Sequence, residues 1–183
     1  MKKLAMFMVL TAFVFAGCRN ANEQKKKSET VSAEELKKEI AELEKQLFDD
    51  KSNTIDLVKS NLLIEKYTRF ADLFPNDSMA PEFLFKASDI AMNSSKPGKT
   101  ISLYNRIIKN YPGYKNVSAC YFLKGFVYDD QLKEYGKAEK YYRLYLEKYP
   151  DGEFADDAEA ALKYLGKSPE ELIKLFEAEQ KNK

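Results

Sequence analysis

The chain has 183 residues, of which 44% are hydrophobic, enough for one core and too few for two sizeable ones. Thirty Lys and Arg stand against 29 Asp and Glu, a net charge of +1, and so balanced a chain lacks the basic face expected of a nucleic-acid binder. With no His and two Cys it offers no Ser-His or Cys-His pair and no ordinary zinc site, so no cofactor, no metal and no enzyme activity are expected.

The N-terminus begins with Lys2 and Lys3, continues in an apolar run from Leu4 to Phe15 too short to span a bilayer, and closes on Ala16-Gly17-Cys18. This resembles a bacterial lipoprotein signal, with Phe15 where that family usually has Leu. The resemblance implies cleavage after residue 17 and acylation of Cys18, which ties the protein to a membrane by lipid. Residues 18–31, the lipidated Cys and a stretch with almost no apolar content, are expected to form a flexible tether reaching about 20 Å. With Cys18 acylated, Cys120 is left without a disulfide partner and reads as a small buried hydrophobe.

A first helix is expected over 32–53, opened by a capping box of Ser32 and Glu35, with Leu36, Ile40, Leu43 and Leu47 on one seam. Barely two heptads long, the seam is expected to pack within the chain rather than as a coiled coil. Further helices follow at about 54–74, at 79–92, from the end of a loop at Asn93 to Gly98 up to Tyr111, at 115–129, from Tyr135, at 153–165 ending at Gly166, and from a Ser168-Pro169-Glu170-Glu171 cap. The fourth is expected to bury Ile101, Tyr104, Ile108 and Tyr111. The last, with Leu172, Leu175 and Phe176 on one face, is expected to cap the open end of a stack.

One phrase occurs three times. Tyr67, Phe70, Phe74 and Pro75 match Tyr104, Ile107, Tyr111 and Pro112, and these match Tyr142, Tyr145, Tyr149 and Pro150. The prolines are 37 and 38 residues apart, the period of stacked helix hairpins, and each stops a helix because it has no N–H to donate. Tyrosines also recur every seventh residue from Tyr114 to Tyr149, but helix breaks at 130–134 interrupt any continuous seam.

The set Gly125, Tyr128, Tyr135, Ala138, Tyr142 and Pro150 resembles the tetratricopeptide repeat (TPR), with one extra residue between its two helices. The resemblance implies an all-α fold, a right-handed superhelix of stacked antiparallel helix hairpins, about eight helices in all. Residues 54–166 form the repeat domain in this reading and 167–183 a capping helix and tail. The phrase from Tyr149 to Ala158 is similar to bacterial envelope lipoproteins. Two groups combine lipid anchor and repeats in this way: lipoproteins of the outer-membrane β-barrel assembly machinery, and coil-plus-repeat proteins of the Tol-Pal system.

In TPR folds the first helix of each hairpin lines a concave groove, and the matching positions here are Glu82, Phe85, Asp89 and Met92, then Phe122, Phe126, Asp129 and Asp130. These would form an aromatic groove with an acidic rim, suited to an apolar and basic peptide. Whether Phe122 and Phe126 are instead core stays open at this point, because aromatic residues at helical spacing also serve packing. The resemblance therefore implies a non-enzymatic scaffold for envelope proteins or their peptides, lipid-anchored in the outer membrane and facing the periplasm, in outer-membrane protein assembly. The alternatives are an adaptor for Tol-Pal, division or peptidoglycan synthesis, and a small-ligand lipoprotein such as a glycan binder. The inner membrane's outer leaflet and the cell surface are the alternative locations.

Overall fold

A computed structural model describes residues 31–48 and 56–181, and every regular element among them is helical. In order these are α1 (Ala33–Phe48), α2 (Leu57–Leu73), α3 (Met79–Asn93), α4 (Pro97–Asn110), α5 (Val117–Phe126), α6 (Tyr135–Lys148), α7 (Ala155–Tyr164) and α8 (Pro169–Lys181). A π-helical turn, Val127–Gln131, extends α5. The signal, Cys18, the tether up to residue 30 and the end of the segment expected for the first helix, 49–53, lie outside the described residues.

Local chemistry sets the helix starts. Glu35 Oε2 accepts from Ser32 N–H at 2.9 Å while Ser32 Oγ accepts from Glu35 N–H at 3.2 Å, the reciprocal cap expected for α1. Ser168 and Glu171 repeat it ahead of α8 at 2.8 and 3.3 Å. Asp56 Oδ1 caps α2 by accepting from Val58 and Lys59, and Asp77 Oδ1 caps α3 by accepting from Met79 at 2.8 Å.

The helix ends carry the repeat. Phe74, Tyr111 and Tyr149, which close α2, α4 and α6, have φ of −128, −133 and −138° and ψ of 58, 57 and 61°. Each donates its N–H to the carbonyl four residues back at 2.8 Å. The carbonyls of these three residues then accept from Asp77, Tyr114 and Gly152, whose own carbonyls accept from Ala80, Val117 and Ala155. Three turns are thus built alike, bond for bond. The connections from α3 to α4 and from the π turn to α6 share a left-handed residue, Ser95 and Lys133, both at φ 54°, 38 positions apart.

The two hairpins differ by one residue. Ala91 to Tyr104 spans 13 positions and Tyr128 to Tyr142 spans 14. The π turn at Val127–Gln131 lies in that interval, and a π turn is how a helix takes up a single inserted residue without losing its axis.

Packing follows the same order. The helices from α1 to α4, with Cys120 and Val127, enclose one core in which Leu36, Ile40, Leu63, Tyr67, Phe70, Tyr104 and Ile107 are at most 1% exposed. Ala138, Tyr142, Tyr145 and Ala158 centre a second cluster, flanked by Tyr121, Phe122, Tyr149 and Phe154. The α1 seam does pack inside the chain: Leu36 and Ile40 are buried, and Lys66–Glu39 at 2.6 Å and Lys86–Glu44 at 2.8 Å join α1 to α2 and α3.

Some expected faces are displaced. In α4 the core residues are Thr100, Leu103, Tyr104 and Ile107, while Ile101, Ile108 and Tyr111 are only half-buried. Thr100 takes the position of Ala138 one repeat on, its hydroxyl satisfied by the Lys96 carbonyl at 3.0 Å, so a polar residue holds a place that hydrophobicity alone assigns to Ile101. Tyr135 is exposed, and α8 has no buried residue among those described, with Ile173 and Phe176 57 and 45% exposed. Phe176 meets Tyr164 at 5.4 Å, so α8 covers the end of α7 only in part.

Candidate functional site

The four α3 candidates share one face through their spacing of three, four and three. That face is open only in part, because the segment before α5 and the π turn after it lie against it. Phe85 meets the Tyr114 ring at 6.0 Å, Glu82 accepts from the Tyr114 hydroxyl at 2.9 Å, and the Met92 carbonyl accepts from Gln131 Nε2 at 3.0 Å. Glu82, Phe85, Asp89 and Met92 are accordingly half-buried.

The second candidate set divides. Phe122 stacks on Phe154 at 4.7 Å and 5° and lies 5.6 Å from Tyr142, so it is part of the packing of α5 on α6 and α7. Phe126 is 39% exposed. The π turn carries Asp129 and Asp130: the first accepts a long 3.4 Å hydrogen bond from Tyr142, and the second faces solvent beside Lys133 at 3.6 Å. Burial pushes the Asp129 carboxyl above its usual range, opposed by that bond and by Lys133. Between these aromatic residues α5 buries a cation: Lys124 is 5% exposed, bonded to Asn105 and set 3.9 Å over the Tyr141 ring. A cation can be buried there because both the amide oxygen and the ring face offer it negative potential.

Three carboxylates occupy the side shared by α1, α3 and the approach to α5. Glu44 accepts from Tyr67 Oη and from Lys86 Nζ at 2.8 Å. Burial raises its carboxyl, but those two bonds and the Lys86 charge outweigh it and hold it below the usual range. Glu82 has Tyr114 and, at 3.4 Å, Lys115. Asp89 lies between them, and among the described residues no cation comes within 4 Å of it and no donor is bonded to its carboxylate. Burial, and then the charge of Glu82, raises it to about 6. The Tyr104 hydroxyl is fully buried, has the Ser88 side chain as its polar neighbour and lies in the field of Asp89.

Asp89 opens on a cleft of about 400 Å³ lined also by Glu44, Phe48, Tyr67, Lys86, Ile90 and Asn93. These neighbours of Asp89 leave no local signal in the sequence and were not expected from it: Glu44 and Lys86 are 42 positions apart and meet only when α1 lies against α3. A larger depression of about 560 Å³ separates the turns at Pro75 and Pro112, but its two charged groups, Asp77 and Lys115, are already paired with Lys37 and Glu82.

Among the described residues no group of three acidic or thiol side chains is placed to hold a metal ion, and no helix is long and apolar enough to cross a membrane. No protein-family model matches the chain, and no curated protein matches it.

Proposed function

We propose that this is a TPR-type lipoprotein, a right-handed superhelix of helix hairpins held by lipid on Cys18 in the bacterial outer membrane, facing the periplasm. It works as a scaffold that holds other envelope proteins and performs no chemistry of its own. The observation that carries the reading is the threefold recurrence of one helix end and turn at Phe74, Tyr111 and Tyr149, bond for bond, which is what a stack of hairpins requires. A close approach at Gly125, where a Cβ would stand 2.8 Å from the Tyr142 ring, agrees with it, because the small residue of such a hairpin exists to let its two helices touch. The exposed Phe126 and Asp89, which has no ion pair among the described residues, are the groups this scaffold leaves for a partner.

The test is recovery of the lipidated protein from gently crosslinked cells, with identification of what accompanies it. Subunits of the β-barrel assembly machinery would make it an assembly scaffold; Tol, Pal or peptidoglycan synthases would make it a division or wall-synthesis adaptor. Recovery without any protein partner, from cells in which Cys18 is acylated, overturns the scaffold reading. Cys18→Ser is expected to release the protein from the membrane fraction, and undiminished detergent-soluble membrane recovery would refute the lipid anchor.

A further inference from the structure

The cleft between α1 and α3 combines apolar walls with a charge imbalance. Phe48 is 67% exposed at its mouth and Ile90 half-buried along its side. Lys86, the cation lining it, is held by Glu44 at 2.8 Å, and Asp89 has no cation among the described residues. We propose that this cleft receives an arginine or lysine side chain of a partner peptide, its cation on the Asp89 carboxylate and its methylene stem along Phe48 and Ile90. The inference rests on the scaffold reading and names the chemistry of its partner: a chain carrying a basic residue within an apolar segment.

Three features favour a side chain over other occupants. About 400 Å³ falls within the ~300–1,000 Å³ of ordinary ligand clefts. An apolar stem with a charged end is what long basic side chains present, and an apolar wall leading to an acid is its complement. A bare metal ion would find too few ligands, since no metal-holding group of acids occurs among the described residues. Among the described residues the Asp89 carboxylate has neither a cation nor a donor, and an acid left so on the wall of a cleft is the kind of group that a binding site keeps.

The experiment uses the full lipidated chain in detergent and two fluorescein-labelled pentapeptides. One alternates leucine and arginine; the other replaces arginine by citrulline, which keeps the shape and removes the charge. Anisotropy is expected to show at least tenfold tighter binding of the arginine peptide, a preference that Asp89→Asn abolishes and Asp129→Asn leaves intact. Phe48→Ser is expected to weaken both peptides. No preference in the unmodified protein, or a preference that survives Asp89→Asn, overturns the inference. A preference that depends instead on Asp129 overturns it too, yet leaves the peptide-binding scaffold standing. Failure of the scaffold reading is seen separately, as crosslinked cells that yield no partner. Self-association at rising protein concentration, abolished by Asp89→Asn, would make a second copy the occupant and overturn the partner-peptide assignment.

Discussion

Replacing Gly125 by alanine tests the helix contact on which the second hairpin depends. A Cβ there would sit 2.8 Å from Tyr142 Cδ1 and Cε1 and 3.3 Å from Cγ. The ring has little room to yield, being 1% exposed, 5.6 Å from the Phe122 ring and bonded through its hydroxyl to Asp129. Forcing such an overlap into a packed core costs about 1–3 kcal/mol, against which alanine returns about 1 kcal/mol of helix propensity. The expected net loss is about 1 kcal/mol. Gly136, in α6, supplies the control: an added Cβ would meet nothing within 4 Å, and Gly136→Ala is expected to stabilise by up to about 1 kcal/mol. The two variants should therefore differ by about 2 kcal/mol, or about 4–8 °C in melting temperature for a chain of this size. Circular dichroism at 222 nm during thermal and urea unfolding measures both. Equal stabilisation by the two substitutions would refute the close approach of α5 to α6.

Asp89 gives a pH signature. Its folded carboxyl titrates near 6 against 3.8 for the free group, so between about pH 4 and 6 the folded chain binds more protons than the unfolded one and stability falls as pH rises. The ceiling at pH 7 is about 3 kcal/mol, and partial solvent contact reduces it to about 1–2 kcal/mol, so Asp89→Asn should stabilise by that amount at pH 7 and by almost nothing at pH 3.5. A gain that does not vary with pH would contradict the burial assigned to this group. Tyr145→Phe removes the oxygen that accepts from Phe154 N–H at 2.8 Å, leaving a half-buried donor at the start of α7, and chemical denaturation should register a loss of about 1–2 kcal/mol. Cys120 is fully buried, and burial, then the Asp89 charge, pushes its thiol up to about 12. In Cys18→Ser protein, which leaves one thiol, a disulfide reagent at pH 8 should therefore react only in step with unfolding, and rapid labelling of the native chain would place Cys120 at the surface.

What the sequence alone determined is whatever short-range chemistry controls. Caps at Ser32 and Ser168 need residues three apart, the stops at Phe74, Tyr111 and Tyr149 need a following proline, and the period of 37 to 38 needs only counting, so the all-helical class and the hairpin order were legible. The inserted residue was legible too, but its absorption as a π turn at Val127–Gln131 was not, since a loop or a bulge would satisfy the same count. Tertiary structure decided which apolar residues become core. Phe122 and Phe126 are both aromatic and one helical turn apart, yet the first is stacked on Phe154 and the second is 39% exposed, because α7 reaches one and not the other. It also decided which acids are satisfied. Glu44, Glu82 and Asp89 read alike in the sequence; Lys86 and Tyr67 approach the first and Tyr114 and Lys115 the second, and among the described residues none does so for the third. Burial and charge pairing depend on neighbours far along the chain, and no local pattern encodes them.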